Sequence, residues 1–231
     1  MLSAKSYFQF GFRRAIRPLF PLNCVLCEKE LRKGETFLCL DCLVSIPRIR
    51  TDYALTYVGA PNNTIEVKSW FIYDSNDASH RLIHDIKYHD RRKLARKLGR
   101  EFALHKLETD TTIDVILPVP LHWTKQLRRG YNQTREIALG IKDVTGVEVS
   151  KNLYAKRTHA TQTHMNREER ARNVRNLFAL RRPEELDGKH IAILDDVITT
   201  GATMTGALET ILAISAPASV TFLSLARTQN T

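Results

Sequence analysis

The sequence lacks any uninterrupted apolar segment of about 20 residues, the length that a helix needs to span a bilayer. It also begins without the continuous hydrophobic stretch of an export signal, so we expect a cytoplasmic protein without a membrane span. The motifs Gly-x4-Gly-Lys-Ser/Thr and Gly-x-Gly-x-x-Gly are missing, which excludes a Walker A loop and a Rossmann dinucleotide site. Internal repeats and low-complexity segments are missing too, which argues against repeat architectures.

Acidic residues are in the minority. Of the 231 residues, 25 are Asp or Glu and 35 are Lys or Arg, which gives a formal net charge of +10. The excess is concentrated in three basic segments, residues 81–100, 121–135 and 151–175. One such segment is usually a solvated face, whereas three favour elements that converge on a phosphate-bearing or nucleic-acid partner. Because 43% of the residues are hydrophobic, the chain can also bury a substantial core.

Helical and strand-like patterns alternate along most of the chain. Apolar residues at helical spacing predict helices in residues 5–19, 82–102, 133–145 and 202–214. Apolar runs predict strands at residues 115–117, 191–194 and 220–225, and shorter ones at 147–149 and 153–155. A turn at residues 59–63 separates two earlier strands. Apolar strands separated by helices are typical of a parallel sheet covered on both faces, so we predict an α/β fold.

All four cysteines lie in one short segment, as Cys24-x2-Cys27-x11-Cys39-x2-Cys42. Two Cys-x2-Cys turns can present four thiolates to one Zn²⁺, and a filled shell of four sulfurs indicates a structural ion. Two disulfides are the alternative, although no export signal accompanies them. We therefore predict three parts: an amphipathic helix (1–20), a zinc ribbon (21–47) and the α/β domain (48–231).

The most informative segment runs from Ile191 to Thr203, where an apolar strand leads into Asp195-Asp196 and the loop Thr199-Thr200-Gly201-Ala202-Thr203. Backbone NH groups at the start of the following helix can wrap a phosphate, and Gly201 permits close backbone approach. The two carboxylates suit the cis hydroxyls of a ribose and can assist a Mg²⁺ on neighbouring oxygens. An ordinary turn between strand and helix is the alternative.

This segment resembles the phosphoribosyl pyrophosphate (PRPP) signature of type I phosphoribosyltransferases. The resemblance implies that Asp195 and Asp196 bind the ribose hydroxyls and that residues 199–203 bind the 5-phosphate. Two further segments, residues 118–133 and Ile86-Lys87-Tyr88, resemble the ComF family of competence-related phosphoribosyltransferase-like proteins, which also carry an N-terminal cysteine ribbon. The resemblance spans roughly residues 21–225.

Other site residues follow from the same resemblance. It implies that the loop Pro118-Val119-Pro120 holds pyrophosphate, and we favour Arg129 as the catalytic cation because Gly130 lets the backbone turn inward. It also implies that residues 157–176 form a flexible flap from which Gln162 and Arg170 close on the diphosphate. An exposed helix with ordinary salt bridges is the alternative for this segment, and Arg129 could be solvated surface.

Two functions are compatible with these residues. As a binding protein, the chain binds PRPP with Mg²⁺ and handles single-stranded DNA during natural transformation, a role that ComF resemblance implies. As an enzyme, it transfers phosphoribose from PRPP to a base or amine that the sequence does not identify. A DNA groove needs cations and stacking side chains, and Tyr131 and Trp123 could stack bases or simply pack in the core. Candidate nucleic-acid residues are Lys87, Tyr88, Arg91, Arg92, Lys125 and Arg128.

Overall fold

The computed structural model describes residues 22–88, 91–107, 112–156 and 177–229. The predicted N-terminal helix (5–19) and the predicted flap (157–176), with Gln162 and Arg170, lie outside the described residues. The chain divides into two compact units, with the boundary between Ile46 and Pro47. No helix in the described ranges is long and apolar enough to cross a membrane.

The described part of the first unit is a small irregular ribbon. Its backbone is held by isolated bridges between Asn23 and Glu30 and between Thr36 and Leu38. A short helix, α1 (Leu40–Ser45), follows, and the side chain of Cys39 caps it by accepting the backbone NH of Cys42. The buried side chains of this part are few: Cys24, Leu26, Leu31, Leu38, Cys39 and Ile46. Such a small apolar core needs a further crosslink or ion for independent stability.

The second unit is built on a six-stranded sheet with the order β1-β2-β8-β7-β3-β4. The strands of the unit are β1 (Tyr53–Thr56), β2 (Thr64–Ile72), β3 (Val115–Pro118), β4 (Glu148–Val149), β5 (Leu153–Ala155), β6 (Phe178–Leu180), β7 (His190–Ile198) and β8 (Ser219–Arg227). Strand β1 pairs with β2 in antiparallel fashion, and the other four pairings of the sheet are parallel. Strands β5 and β6 form a separate antiparallel pair. The α/β class with a mostly parallel sheet is confirmed.

Helices flank this sheet. They are α2 (Ala78–Tyr88), α3 (Arg92–Lys106), α4 (Trp123–Arg129), α5 (Gln133–Thr145) and α6 (Ala202–Leu212), with 3-10 turns at Pro61–Asn63 and Pro183–Leu186. The predicted periodicity is confirmed in α3, whose Leu94, Leu98 and Phe102 are buried. On β7, Ile191 and Ile193 pack in one cluster with apolar residues of α6. Ala192 and Leu194 are also buried, and strand alternation directs them to the opposite face.

Helices α3 and α5 cross at very close range. A Cβ added to Gly99 would lie 2.0 Å from the carbonyl oxygen of Ile137, and one added to Gly140 would lie 2.0 Å from that of Arg96. Because glycine has no Cβ, each of these two residues lets the backbone of the other helix approach closely. Across the same crossing, Arg96 and Arg100 both bind the carboxylate of Asp143, at 2.6 and 2.7 Å. Backbone contact and two ion pairs therefore join this pair of helices.

Candidate functional site

Asp195 and Asp196 lie at the place where β7 loses one of its two neighbours. The last residue of β3, Pro118, pairs with Leu194, whereas β8 continues beside β7 as far as Ile198. The sequence predicted a strand that ends before the carboxylates, but β7 carries both of them within its length because β8 still pairs with it there. The carboxylates therefore stand just beyond the carboxyl end of β3, where parallel α/β sheets bind ligands.

The carboxylate of Asp196 is buried and has two partners. Lys87 on α2 places Nζ 3.1 Å from Oδ1, and Gln133 at the start of α5 donates from Nε2 to Oδ2 at 2.8 Å. A buried carboxylate needs such compensation, because water is not available to it. The site is thus assembled from three separate elements: β7, α2 and α5.

Asp195 is the more accessible of the two carboxylates. Its Oδ1 accepts the backbone NH of Asp196 at 2.8 Å. Burial and the adjacent negative charge of Asp196 raise the pKa of Asp195 to about 7, although that NH group and the charges of Lys87 and Lys125 act in the opposite direction. A ligand that brings a hydroxyl or a cation to this carboxylate would relieve the repulsion between the pair.

Arg129, at the end of α4, reaches the same cleft through a chain of hydrogen bonds. Its Nη1 donates to Oε1 of Gln133 at 3.1 Å, and its Nη2 donates to the hydroxyl of Tyr88 at 3.4 Å. Among the described residues, Nε of Arg129 is buried without a hydrogen-bond partner. A buried guanidinium donor without an acceptor is costly, and an anionic ligand in the cleft would supply one.

The loop after β3 is fixed by its backbone. The NH of Val119 donates to the carbonyl of Leu194 at 2.8 Å, and the carbonyl of Val119 accepts from the side chains of Asn132 and Thr134, at 3.1 and 2.7 Å. Pro118 is buried within β3, whereas Val119 and Pro120 line the cleft. Two residues of the predicted pyrophosphate loop, Val119 and Pro120, therefore lie beside the carboxylates, whereas the first, Pro118, does not line the cleft.

The Thr199–Thr203 loop connects β7 to α6. Gly201 is the N-cap of α6 and has a left-handed backbone with φ of 73°. The hydroxyl of Thr228 holds the loop by donating to the carbonyl of Thr199 at 3.2 Å. Thr199, Thr200 and Thr203 are exposed, and the hydroxyl of Thr200 accepts the backbone NH of Ala202 at 3.4 Å. This arrangement can receive a phosphate.

These elements surround a cleft of about 350 Å³. Its lining residues are Tyr73, Lys87, Val119, Pro120, Leu121, His122, Lys125, Arg129, Gln133, Ala155, Leu177, Phe178, Asp195, Asp196, Val197, Thr199 and Thr203. Gln133 and Tyr73 were not predicted from the sequence to have a role, although Gln133 is the last residue of the ComF-like segment 118–133. Thr200, Gly201 and Ala202 belong to the loop but are not among the lining residues.

The predicted nucleic-acid residues separate into two groups. Lys87 and Lys125 line the cleft, and Lys87 is engaged with Asp196. Arg91 faces Asp85 at 3.7 Å, and the guanidinium of Arg128 lies 5.5 Å from the centroid of the Tyr88 ring. Both side chains belong to the region around the end of α2.

Neighbouring side chains decide which aromatic rings could stack on bases. Arg92 donates to the carbonyl of Gly130 at 2.8 Å and lies over the ring of Tyr131. Tyr131 is buried and its hydroxyl donates to the carbonyl of Ile86, so it is a packing residue. Tyr88 and Trp123 are exposed, and the guanidinium groups of Arg128 and Arg129 lie over the ring of Tyr88.

The four cysteines form a separate candidate metal centre in the first unit. Their Sγ atoms all lie within 4.8 Å of one another, and those of Cys27 and Cys39 are 3.7 Å apart. Four sulfurs at about 2.3 Å from a tetrahedral Zn²⁺ would be separated by about 3.8 Å, so the arrangement fits the ion. All four residues are free thiols. The cluster could therefore hold a metal such as zinc.

The thiols differ in their surroundings. Burial opposes ionisation of Cys24, but backbone NH groups of Cys39, Cys27 and Leu26 outweigh it and lower the pKa of Cys24 to about 7. Burial raises the pKa of Cys42, and hydrogen bonds with the neighbouring thiols add to that effect. Four crowded thiols that cannot all ionise alone are what a divalent cation would stabilise as thiolates.

Known proteins resemble much of this chain. Residues 88–230 match the family model described as phosphoribosyl transferase domain. A competence protein F from Haemophilus influenzae is 26% identical over 204 residues, which cover 80% of this chain and 88% of that protein. A DNA utilization protein YhgH from Escherichia coli O157:H7 is 33% identical over 129 residues, or 53% of this chain. The matched part spans only 56% of that relative's length.

A solved structure described as the allosteric regulatory enzyme of purine biosynthesis is similar with a TM-score of 0.44 and 18% identity, over 62% of this chain and 30% of that one. The resemblance to the ComF family is confirmed by the family model, the named relatives and the four neighbouring cysteines. Because the model matches more than half of its residues, the chain belongs to the phosphoribosyl transferase family.

Proposed function

We propose that the cleft binds PRPP together with Mg²⁺. The observation that carries the proposal is the placement of Asp195, Asp196 and Arg129 in one cleft, with Gln133 hydrogen-bonded to both Asp196 and Arg129. Two carboxylates next to a guanidinium match a ligand that carries vicinal hydroxyls on one side and a diphosphate on the other. Neither group alone would specify such a ligand.

The residues divide the ligand between them. Asp195 and Asp196 take the ribose hydroxyls, the exposed loop from Thr199 to Thr203 takes the 5-phosphate, and Arg129 takes the diphosphate. Lys125 adds a positive charge at the same wall of the cleft. When bound, Mg²⁺ would neutralise diphosphate oxygens, and Asp195, the more accessible of the two carboxylates, would hold its coordination sphere.

We also propose that the protein acts in DNA uptake and handles incoming single-stranded DNA in the cytoplasm. The names of the relatives, competence protein F and DNA utilization protein, support this role. The basic residues near the end of α2, with the exposed ring of Tyr88 beside Arg128, supply both components of a single-strand site, cations and a stacking surface.

Phosphoribosyl transfer to an acceptor is the second candidate function. The buried Nε of Arg129 favours it, because a donor without an acceptor in the described residues is ready to receive charge that develops on a departing diphosphate. Such a reaction needs positioning and charge stabilisation, and no covalent nucleophile on the protein.

Calorimetry with PRPP and Mg²⁺ tests the pocket. The Asp195→Ala/Asp196→Ala variant should bind at least about 100-fold more weakly, because it loses several charge-assisted hydrogen bonds. Glu148→Ala, on the exposed strand β4, is the matched control and should bind like the wild type. Equal binding by all three proteins would disprove the pocket. A pyrophosphate-release screen over bases and amines then separates a binding protein from an enzyme.

A further inference from the structure

One face of α2 carries a row of three neighbouring aromatic rings, tilted against one another by 39° and 42°. His80, His84 and Tyr88 are spaced four residues apart, so helical geometry brings them onto one side. The ring centroids of His80 and His84 are 6.2 Å apart, and those of His84 and Tyr88 are 4.6 Å apart. The ring of Tyr73 continues the row, 6.0 Å from His80. We call His80, His84 and Tyr88 the ring row.

The ring row is not the packing face of its helix. The buried residues of α2 are Ser79, Leu82, Ile83 and Ile86, whereas His80 is half-buried and His84 and Tyr88 are exposed, Tyr88 by 45%. Rings that touch one another on a solvent-facing side add little to the core. Their flat, polarisable surfaces are instead suited to other flat rings.

Positive charge lies at the Tyr88 end of the ring row. The guanidinium carbons of Arg129 and Arg128 lie 5.0 and 5.5 Å from the centroid of Tyr88. The nearby carboxylate of Asp85 is partly neutralised by Arg91 at 3.7 Å. Stacking rings bordered by guanidinium groups complement a chain that carries bases and phosphates.

We propose that the ring row is a stacking surface for the unpaired bases of single-stranded nucleic acid. This inference rests on the proposed role in DNA handling, and it assigns that role to a surface. From His80 to Tyr88 the helix rises about 12 Å, and the three tilted rings, with centroids 6.2 and 4.6 Å apart, each offer contact to one base. The phosphates then run towards Arg128.

The experiment compares oligonucleotide binding by the full chain and by two double variants. His80→Ala/His84→Ala removes two rings, whereas His80→Phe/His84→Phe keeps two rings and removes their capacity for charge and hydrogen bonds. Neither histidine lines the cleft, so PRPP binding should not change in either variant. His105→Ala on α3 is the matched control, because His105 is also an exposed histidine in contact with an aromatic ring, that of Trp70.

The probes are oligo(dT) containing a 2-aminopurine reporter and an abasic oligonucleotide of the same length. The alanine variant should bind oligo(dT) about tenfold more weakly for each base that loses its ring. It should also lose the quenching that stacking produces, and the phenylalanine variant should retain both. Affinity for the abasic probe should be the same in all proteins, since only the phosphate contacts remain.

Two results overturn the proposal, and they differ in meaning. If the wild type binds oligo(dT) and the alanine variant binds it equally well, the ring row is not the stacking surface, while the DNA role stands. If the wild type does not bind oligo(dT), both the ring row and the DNA role are wrong. A loss of affinity for the abasic probe in the alanine variant would show that the histidines act through phosphates, which also contradicts stacking.

Discussion

Lys87 and Asp196 form an ion pair across the wall of the cleft, with Nζ 3.1 Å from Oδ1, although the two residues are 109 positions apart in the sequence. The pair gives the Ile86-Lys87-Tyr88 motif a function inside the site. Lys87 compensates the buried carboxylate, while the next residue, Tyr88, accepts a hydrogen bond from Arg129. Lys87 and Tyr88 thus contact the two residues, Asp196 and Arg129, that we propose to bind the ribose and the diphosphate.

The ion pair should be detectable as coupling in unfolding experiments. Lys87→Met leaves the carboxylate of Asp196 buried, with Gln133 still donating to it, and we expect a loss of about 2 kcal/mol of unfolding free energy. Asp196→Asn in the Lys87→Met background should recover most of that loss, since it removes the uncompensated charge. Urea denaturation of both single variants and the double variant measures the coupling. Lys151→Met, at an exposed position, is the control, and strictly additive effects would contradict the ion pair.

Replacement of Arg129 should weaken PRPP binding far more than replacement of its neighbour Arg128. Arg129 lines the cleft, whereas Arg128 lies over the Tyr88 ring and is not among the lining residues. Arg129→Ala should weaken PRPP binding by about 10- to 100-fold, the cost of a lost charge-assisted contact. Arg128→Ala should change it by less than about twofold. Calorimetry at fixed Mg²⁺ makes the comparison, and equal losses would mean that general positive potential, rather than contact, attracts the ligand.

Much of the fold follows from short-range patterns. The apolar run that predicts a strand at residues 220–225 lies within β8, and the periodicity of residues 133–145 matches α5. These patterns are reliable because a strand buried on both faces must be apolar throughout, and a helix packed on one side repeats its apolar residues. Helix α4 has no buried residue and therefore left no apolar periodicity to detect.

The contacts within the site could not be predicted in the same way. Gln133 meets Asp196 from 63 positions away, and Lys87 meets it from another helix. No local pattern encodes such pairs, because the sheet order β8-β7-β3 brings them together. The carboxylates and the threonine loop were detectable because they are consecutive in the chain. The end of β7 was misplaced, since the polar residues inside it suggested a loop while pairing with β8 continued.

We expect the four cysteines to bind one metal ion, and we expect the first unit to fold when that ion binds. We expect one Zn²⁺ per chain, lost from Cys27→Ala, and release of protons on binding because thiols become thiolates. Zinc affinity should therefore rise with pH, most steeply where thiols such as Cys42, whose pKa is raised by burial, must ionise. A chromophoric chelator measures the stoichiometry. Circular dichroism before and after chelation reports the folding, and an unchanged spectrum after complete removal of the metal would contradict a structural role.

The crossing of α3 and α5 should not tolerate a methyl group. Gly99→Ala places a Cβ against the backbone of Ile137, which cannot move without shifting α5. We expect a loss of about 1–3 kcal/mol of unfolding free energy, even though alanine favours helix formation. Leu104→Ala, at an exposed position on the same helix, should cost little. If Gly99→Ala is as stable as the wild type in urea, the two helices do not approach each other this closely.

Asp143 should make the crossing of α3 and α5 sensitive to acid. Hydrogen bonds from Arg96 and Arg100, together with their charges, hold the pKa of Asp143 well below its usual range despite partial burial. A carboxylate with a lowered pKa in the folded state stabilises the fold above its unfolded pKa of about 3.9, and this contribution is lost as the pH falls below that value. Because the three side chains are partly exposed, we expect Asp143→Asn to cost about 1 kcal/mol at pH 7.

The difference in unfolding free energy between wild type and Asp143→Asn should stay constant down to about pH 4.5 and shrink below it. Urea unfolding at several pH values measures it, with Glu148→Gln as the control, because Glu148 is an exposed carboxylate on β4. If the difference in unfolding free energy is unchanged at pH 3, the asparagine side chain is simply a poorer fit at this position than that of Asp143. If the difference disappears at low pH, the ionised carboxylate of Asp143, held between two arginines, stabilises the packing of α3 against α5.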